Sequence, residues 1–230
     1  MAKKLKSEAI VFGASGSIGK SIVKELKSQH EVTRVSTKKR PGYFTLNSTE
    51  DYVELRKLKK KFSAVVWANG QNTNDSILNL NEKRFLEVLD ANLLYIINSS
   101  KFLLDHNLLK NGAKLCIISS IWQNLSRNDK FSYTVSKSAL LGLVQSFSCD
   151  LAQRGMRVNA ILPGPLNNEM TKKALSKNQL AKMLNETPYN KLINSKQVGK
   201  VAKWICSSES DGVVSQFIEL DYGYSKLRQI

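Results

Sequence analysis

Short apolar runs alternate along this chain with longer amphipathic stretches. The runs at 9–12, 32–36, 64–67, 114–119, 157–162 and 216–220 have strand length and are rich in residues that favour buried strands. The stretches at 18–28, 51–62, 82–107, 131–154 and 196–207 predict helices; in the first, Ile18, Ile22, Val23 and Leu26 share one face. The longest irregular stretch, 163–196, contains a helical portion over 170–184. Strand and helix in alternation predict an α/β fold, a parallel sheet covered by helices on both faces. No repeat, low-complexity tract or Pro/Gly linker divides the sequence, so residues 1–230 read as a single domain in which 165–195 would form a lid.

The 230 residues are 42% hydrophobic and 23% charged, the balance of a globular protein. No apolar segment approaches the about 18 residues that a membrane helix needs. The run at 9–12, behind a basic N-terminus, is too short for a signal sequence. A cytoplasmic location is the expectation. Cys116, Cys149 and Cys206 lie far apart in apolar contexts and read as buried reduced thiols. Neither His30 nor His106 has a neighbour at a ligand spacing, so no metal site is expected. The net charge of +16 raises the question of an anionic partner. Its lysines are dispersed, however, and the densest run, Arg56-Lys57-Leu58-Lys59-Lys60-Lys61, falls on a predicted helix whose Val53, Leu55, Leu58 and Phe62 face inward. A solvated helix face accounts for that run, and nucleic acid is not an expected partner.

The first predicted strand leads into Gly13-Ala14-Ser15-Gly16-Ser17-Ile18-Gly19-Lys20 and then a helix. A glycine-rich turn in that position lets backbone N–H groups approach a pyrophosphate, and the helix N-terminus adds favourable partial charge. The spacing before Lys20 is not that of a Walker loop. At the end of the second strand, where an acid would bond an adenosine ribose, the chain reads Val35-Ser36-Thr37-Lys38-Lys39-Arg40. Hydroxyls followed by three cations suit a 2′-phosphate, so NADP(H) is favoured over NAD(H), with Ser36 and Lys38 as contacts.

Tyr133 and Lys137 stand four residues apart in a predicted helix and share a face, with Ser120 at the end of an apolar strand upstream. An ammonium beside a phenol would pull its pKa down from about 10, and a serine hydroxyl could hold a carbonyl oxygen while the phenol exchanges a proton with it. Five residues alone make a weak pattern, equally suited to a snorkelling pair on a helix surface.

With the glycine loop, Ser120, Tyr133 and Lys137 in this order, the sequence resembles the short-chain dehydrogenase/reductase family over essentially its whole length. Asn92 in Asp90-Ala91-Asn92-Leu93 falls where that family carries the asparagine of a catalytic tetrad, and 157–164 looks like its sixth strand with a Pro163-Gly164 turn at the nicotinamide. The tail Glu219-Leu220-Asp221-Tyr222-Gly223 is similar to the family's closing strand and turn. The resemblance implies a Rossmann fold with a doubly wound parallel sheet, and hydride exchange between a carbonyl and a secondary alcohol. It makes Tyr133 the proton donor or acceptor, Lys137 the group that lowers its pKa and holds the nicotinamide ribose, Ser120 the anchor of the substrate oxygen and Asn92 part of a proton relay. Leu166 matches a position whose backbone meets the carboxamide. Family members pair through the two long helices, here 82–107 and 131–154, so a homodimer or homotetramer is expected; Leu140, Leu141, Leu143, Val144 and Phe147 fit a helix buried on more than one side.

Several positions depart from the family pattern. Ser17 stands where a glycine is usual, Asn47 where an aspartate meets the adenine, and Asn168 replaces a threonine; Asn-Asn-Ala-Gly has become Trp67-Ala68-Asn69-Gly70. None removes a catalytic group, although a catalytically silent dinucleotide-binding protein is the alternative. Trp122, Gln123 and Asn124 would line a pocket for a small-molecule substrate or lie on an exposed loop. Lys172, Lys173, Lys177 and Lys182 on the lid suggest an anionic substrate, a sugar derivative or an acyl group.

Overall fold

The computed structural model describes residues 6–47, 50–167 and 177–227. Seven parallel strands form one sheet in the order β3-β2-β1-β4-β5-β6-β7. They are β1 (Ser7–Phe12), β2 (His30–Ser36), β3 (Phe44–Thr45), β4 (Phe62–Trp67), β5 (Leu109–Ile118), β6 (Arg157–Pro163) and β7 (Phe217–Leu220). The chain winds outward from β1 to β2 and then returns to place β4 on its other side, so the doubly wound Rossmann arrangement is observed. Between β1 and β4 the winding reverses, and ligands of such sheets sit beyond the carboxyl ends of the strands there. Phe12 pairs with Trp67, Trp67 with Ile117, and Ile118 with Ile161, which brings those ends to a common edge.

The helices are α1 (Ser17–Leu26), α2 (Val53–Arg56), α3 (Glu82–Leu89), α4 (Tyr95–Asp105), α5 (Phe131–Leu151), α6 (Lys177–Asn185) and α7 (Ser195–Ile205). One face of the sheet packs Ala9, Val11, Ala64 and Val66 against Ile22 and Leu26 of α1 and Val198, Ala202 and Ile205 of α7. The other packs Phe12, Val65, Trp67 and Leu115 against Ile96 and Leu103 of α4 and Leu140 and Val144 of α5. Trp67 stacks on Phe12, with ring centroids 5.8 Å apart, and donates from Nε1 to Ser99 Oγ at 2.8 Å. The aromatic residue that displaced the family's asparagine is thus a core residue. No helix among the described residues is long and apolar enough to cross a membrane.

The predicted helix over 82–107 is one helical run interrupted by a π turn, Asp90–Leu94, between α3 and α4. It closes at Asn107, whose φ of 53° turns the chain so that the Leu108 N–H reaches the Leu103 carbonyl at 2.9 Å. The helix predicted over 51–62 is not formed. A 3-10 turn and α2 end at Arg56, Lys59 adopts a φ of 47°, and Phe62 opens β4. Leu55 and Phe62 are buried as expected, but from a turn and a strand, and Val53 is exposed. Within the basic run, Lys57 pairs with Glu54 at 2.6 Å and Lys60 with Glu8 at 2.9 Å. Cys116 and Cys206 are buried; Cys149 is exposed, contrary to expectation, because it lies on the outer face of α5. The positions Asn168, Lys172 and Lys173 lie outside the described residues.

Candidate active site

The glycine loop is shaped by close approach. Gly13 has a φ of 70°, and a Cβ there would lie 2.5 Å from the Asn69 nitrogen; one at Gly19 would lie 2.1 Å from the Gly13 carbonyl oxygen. Two backbone segments therefore meet at the switch point with nothing between them. Gly16 caps α1 without any side-chain bond, and the first turn, Ser17, Ile18 and Gly19, carries no acid. The helix start is left open to an anion. Ser15 Oγ lies 3.1 Å from Ser36 Oγ, which also accepts the Lys38 N–H at 3.1 Å. Ser36 is 1% exposed, so it ties the glycine loop to the end of β2 from below. Lys38, Lys39 and Arg40 reach solvent beyond it.

A cleft of about 480 Å3 opens along this edge, lined among others by Gly13, Ser15, Gly16, Thr37, Asn47 and Asn69. Asn69 donates to the Ala91 carbonyl at 2.8 Å, while its buried Oδ1 has no hydrogen-bond partner. An orphaned acceptor, an open helix start and a glycine-walled cleft fit a dinucleotide. Gly70 continues this wall toward the chemical end of the site. A Cβ there would meet Asn92 Oδ1 at 3.0 Å and Lys137 Nζ at 3.5 Å.

Ser120, Tyr133, Lys137 and Asn92 converge on that end. Ser120 follows β5, where its Oγ caps a 3-10 turn by accepting the Trp122 N–H at 3.3 Å and stands close enough to the Tyr133 phenol to lower its pKa. Lys137 Nζ donates to the Ile118 carbonyl at 3.1 Å and lies 5.8 Å from the Tyr133 ring centroid. Asn92, fully buried in the π turn, donates to the Gln71 carbonyl at 2.9 Å and to Ser136 Oγ at 2.8 Å, and accepts the Gln71 N–H at 2.7 Å. It fixes the segment after Gly70 to α5 one residue before Lys137. The expected fall in the Tyr133 pKa is not found in this state. Burial raises the phenol and only Ser120 opposes it, while burial lowers Lys137 to about 8. Loss of solvent disfavours both charged forms, and Lys137 is not among the groups that counter it at the phenol. At neutral pH the phenol holds its proton and Lys137 is an ammonium, the protonation state a proton donor requires.

Pro163 and Gly164 close the far side of the edge. The Gly164 N–H bonds the Leu220 carbonyl at 2.9 Å, and Leu166 forms an isolated parallel bridge with Ile193. Gln123 is not a free pocket wall, whereas Asn124 is exposed, as the loop alternative has it. Gln123 is buried, with Oε1 accepting from Ser119 Oγ at 2.8 Å, and Asn124 donates to Glu219 at 3.1 Å. Trp122 is half-buried, edge-on to Tyr224 with centroids 6.5 Å apart.

One part of the site left no trace in sequence reasoning. Asp75 accepts from the Ser132 N–H at 3.0 Å and from the Ser132 hydroxyl, and its carbonyl accepts the Phe131 N–H at 3.1 Å. Lys130 reaches back to Asn72 and Asn74 on the same loop. Together they clamp the segment after Gly70 to the first turn of the helix that carries Tyr133. The polar cluster Asn72-Thr73-Asn74-Asp75 was the available signal, but it reads equally as an ordinary turn.

A parallel sheet wound in this order, with a glycine loop after its first strand and a Ser–Tyr–Lys group beside it, defines a nicotinamide-dependent oxidoreductase class. Residues 52–225 match the family described as enoyl-(acyl carrier protein) reductase. The chain belongs to the short-chain dehydrogenase/reductase family of NAD(P)-dependent oxidoreductases. A 3-oxoacyl-(acyl-carrier-protein) reductase FabG of Buchnera aphidicola subsp. Baizongia pistaciae is 27% identical to it over 242 residues, which cover 96% of this chain and 98% of the relative. The protein of that name from Escherichia coli K12 is 24% identical, with 94% and 96% covered. A solved gluconate 5-dehydrogenase from Burkholderia cenocepacia J2315, in complex with NADP and tartrate, superposes with a TM-score of 0.89 at 16% identity, covering 97% of each chain. A short chain dehydrogenase family protein from Francisella tularensis superposes with a TM-score of 0.87 at 22% identity, covering 97% of this chain and all of the other. At such identities the two structures speak for the fold alone.

Proposed function

We propose that this chain is an NADP(H)-dependent carbonyl reductase that takes a 3-oxoacyl thioester. The observation that carries the reading is the convergence of Ser120, Tyr133 and Lys137 beside Gly70, at the end of a cleft that begins on the glycine loop. When bound, the reduced nicotinamide supplies the hydride. The Ser120 hydroxyl donates to the substrate's carbonyl oxygen, and the Tyr133 phenol delivers its proton to the same oxygen as negative charge develops there. Lys137 holds positive charge beside the phenol and reaches the ribose hydroxyls. Asn92 keeps α5 and the segment after Gly70 in register. Gly13, Ser15, Gly16, Ser17, Ile18 and Gly19 take the pyrophosphate; Asn47 and Asn69 border the adenosine; Pro163, Gly164 and Leu166 border the nicotinamide.

The preference for NADP(H) rests on the missing acid after β2 and on the exposed Lys38, with Ser36 holding the loop that presents it. The choice of an acyl substrate rests on the names of the two relatives. Exposed Leu86, Leu94, Val135 and Leu141 on the outer faces of the α3–α4 run and α5 support pairing of copies through those helices, as a homodimer or homotetramer.

A substrate screen followed by NADPH absorbance, with Tyr133→Phe as control, tests the reading. Turnover of 3-oxoacyl thioesters is expected, with the variant slower by about 10^2–10^4-fold in the chemical step and NADPH binding retained. A Tyr133→Phe protein that turns over at the unchanged rate would refute it.

A further inference from the structure

Lys130, immediately before α5, is 5% exposed, an unusual position for a lysine. Its ammonium is held by neutral acceptors: Asn74 Oδ1 at 2.7 Å, Asn72 Oδ1 at 2.8 Å and the Thr73 carbonyl at 3.5 Å. The Asp75 carboxylate, close enough to act on it through space, is occupied by Ser132. Nζ lies 5.8 Å from the Tyr133 ring centroid, the same distance as Lys137 Nζ. Lys130 precedes Tyr133 by three residues and Lys137 follows it by four, so two ammonium groups stand equally far from one ring.

We propose that Lys130 is a second cation for the proton transfer assigned to Tyr133, a positioning residue that favours the phenolate as the proton leaves. The inference rests on the proposed role of Tyr133. In that step the phenol O–H bond breaks and a new O–H bond forms on the substrate oxygen, whose carbon has received the hydride; the phenolate then regains a proton from solvent. An ammonium about 6 Å from the ring favours the phenolate more than the neutral phenol, to which it offers only a cation–π contact. The benefit therefore falls on the transition state rather than on the resting enzyme. The charged and titratable groups facing Lys130 are Asp75 after β4, Arg127 and Asp129 before α5, and Tyr133 on α5, whose ring Lys137 also approaches. Burial and Arg127 bring Lys130 down to about 8 against the two aspartates, so the ammonium prevails at neutral pH and is lost above that value.

Rapid-mixing oxidation of NADPH by a small acetoacetyl thioester, from pH 6 to 10, tests the proposal. Lys130→Met is expected to slow the chemical step about tenfold at neutral pH, with KM and the Kd for NADPH within about twofold. The deficit should narrow above pH 8, where the unchanged protein loses the same charge. Lys130→Arg should keep the neutral rate and carry it to higher pH; Lys137 is common to all three proteins and cancels. No deficit in Lys130→Met, or one equal at every pH, overturns the proposal. Should that variant fail to fold, an Lys130→Arg profile superimposing on the unchanged one overturns it instead. Tyr133→Phe in the same assay separates the two ideas. If it keeps the rate, or if the unchanged protein does not turn over the probe, the proton-donor reading falls and this inference with it; if it is inactive while both Lys130 variants behave normally, this inference alone falls.

Discussion

Lys137 Nζ donates to the carbonyl of Ile118, the last residue of β5, at 3.1 Å. The bond locks the ammonium in place, but burial lowers its pKa from 10.5 to about 8. Between those values the unfolded chain binds more protons than the folded one, so stability rises with pH across that window and the penalty is fully present below about 8. Lys137→Met is therefore expected to be more stable than the unchanged chain at pH 7, by about 1–3 kcal/mol, and to lose turnover. The advantage should shrink toward pH 10. Urea unfolding at both values measures this, and a variant less stable at pH 7 would contradict it.

Asn92 presents the opposite case. Asn92→Leu removes the partner of the Gln71 N–H and carbonyl and leaves Ser136 Oγ with only its bond to the Tyr133 carbonyl. A loss of about 2–4 kcal/mol in chemical denaturation is expected, with turnover reduced in the protein that remains folded.

Gly13 and Gly112 separate backbone strain from steric conflict. Their φ values are 70° and 74°, but an added Cβ at Gly112 meets nothing within 4 Å, whereas at Gly13 it meets Asn69. Gly112→Ala should cost about 1 kcal/mol, and Gly13→Ala about 2–4 kcal/mol with NADPH affinity at least about tenfold weaker. Equal losses in thermal unfolding would remove the assigned role of the close approach.

Lys38 offers a test of cofactor choice that leaves the fold alone, since its side chain is exposed. Lys38→Glu is expected to weaken NADPH binding about tenfold or more and to leave NADH binding within about threefold. Fluorescence titration with both nucleotides decides it; equal weakening would place the 2′-phosphate elsewhere.

The strands, the long helices and the glycine loop were legible because each rests on local periodicity or on a turn whose chemistry is local. Region 51–62 misled for a physical reason. Val53, Leu55, Leu58 and Phe62 have helical spacing, but Lys59 in a left-handed conformation and the pairing of Phe62 with Leu109 in the sheet override it. Strand β3, two residues long, carries no period to read. Tyr133, Lys137 and Ser120 were legible as a pattern, but their pKa directions were not, because burial is set by the packed helices around them. The Lys130 and Asp75 clamp joins segments 56 to 58 residues apart through polar contacts that leave no periodic mark.

The Leu166–Ile193 bridge and the bond from the Asn167 N–H to the Ile193 carbonyl, 2.7 Å long, fasten together the two ends of the intervening segment where it leaves and rejoins the sheet region. Sequence drift between those anchors need not disturb strand register or the proton-handling group.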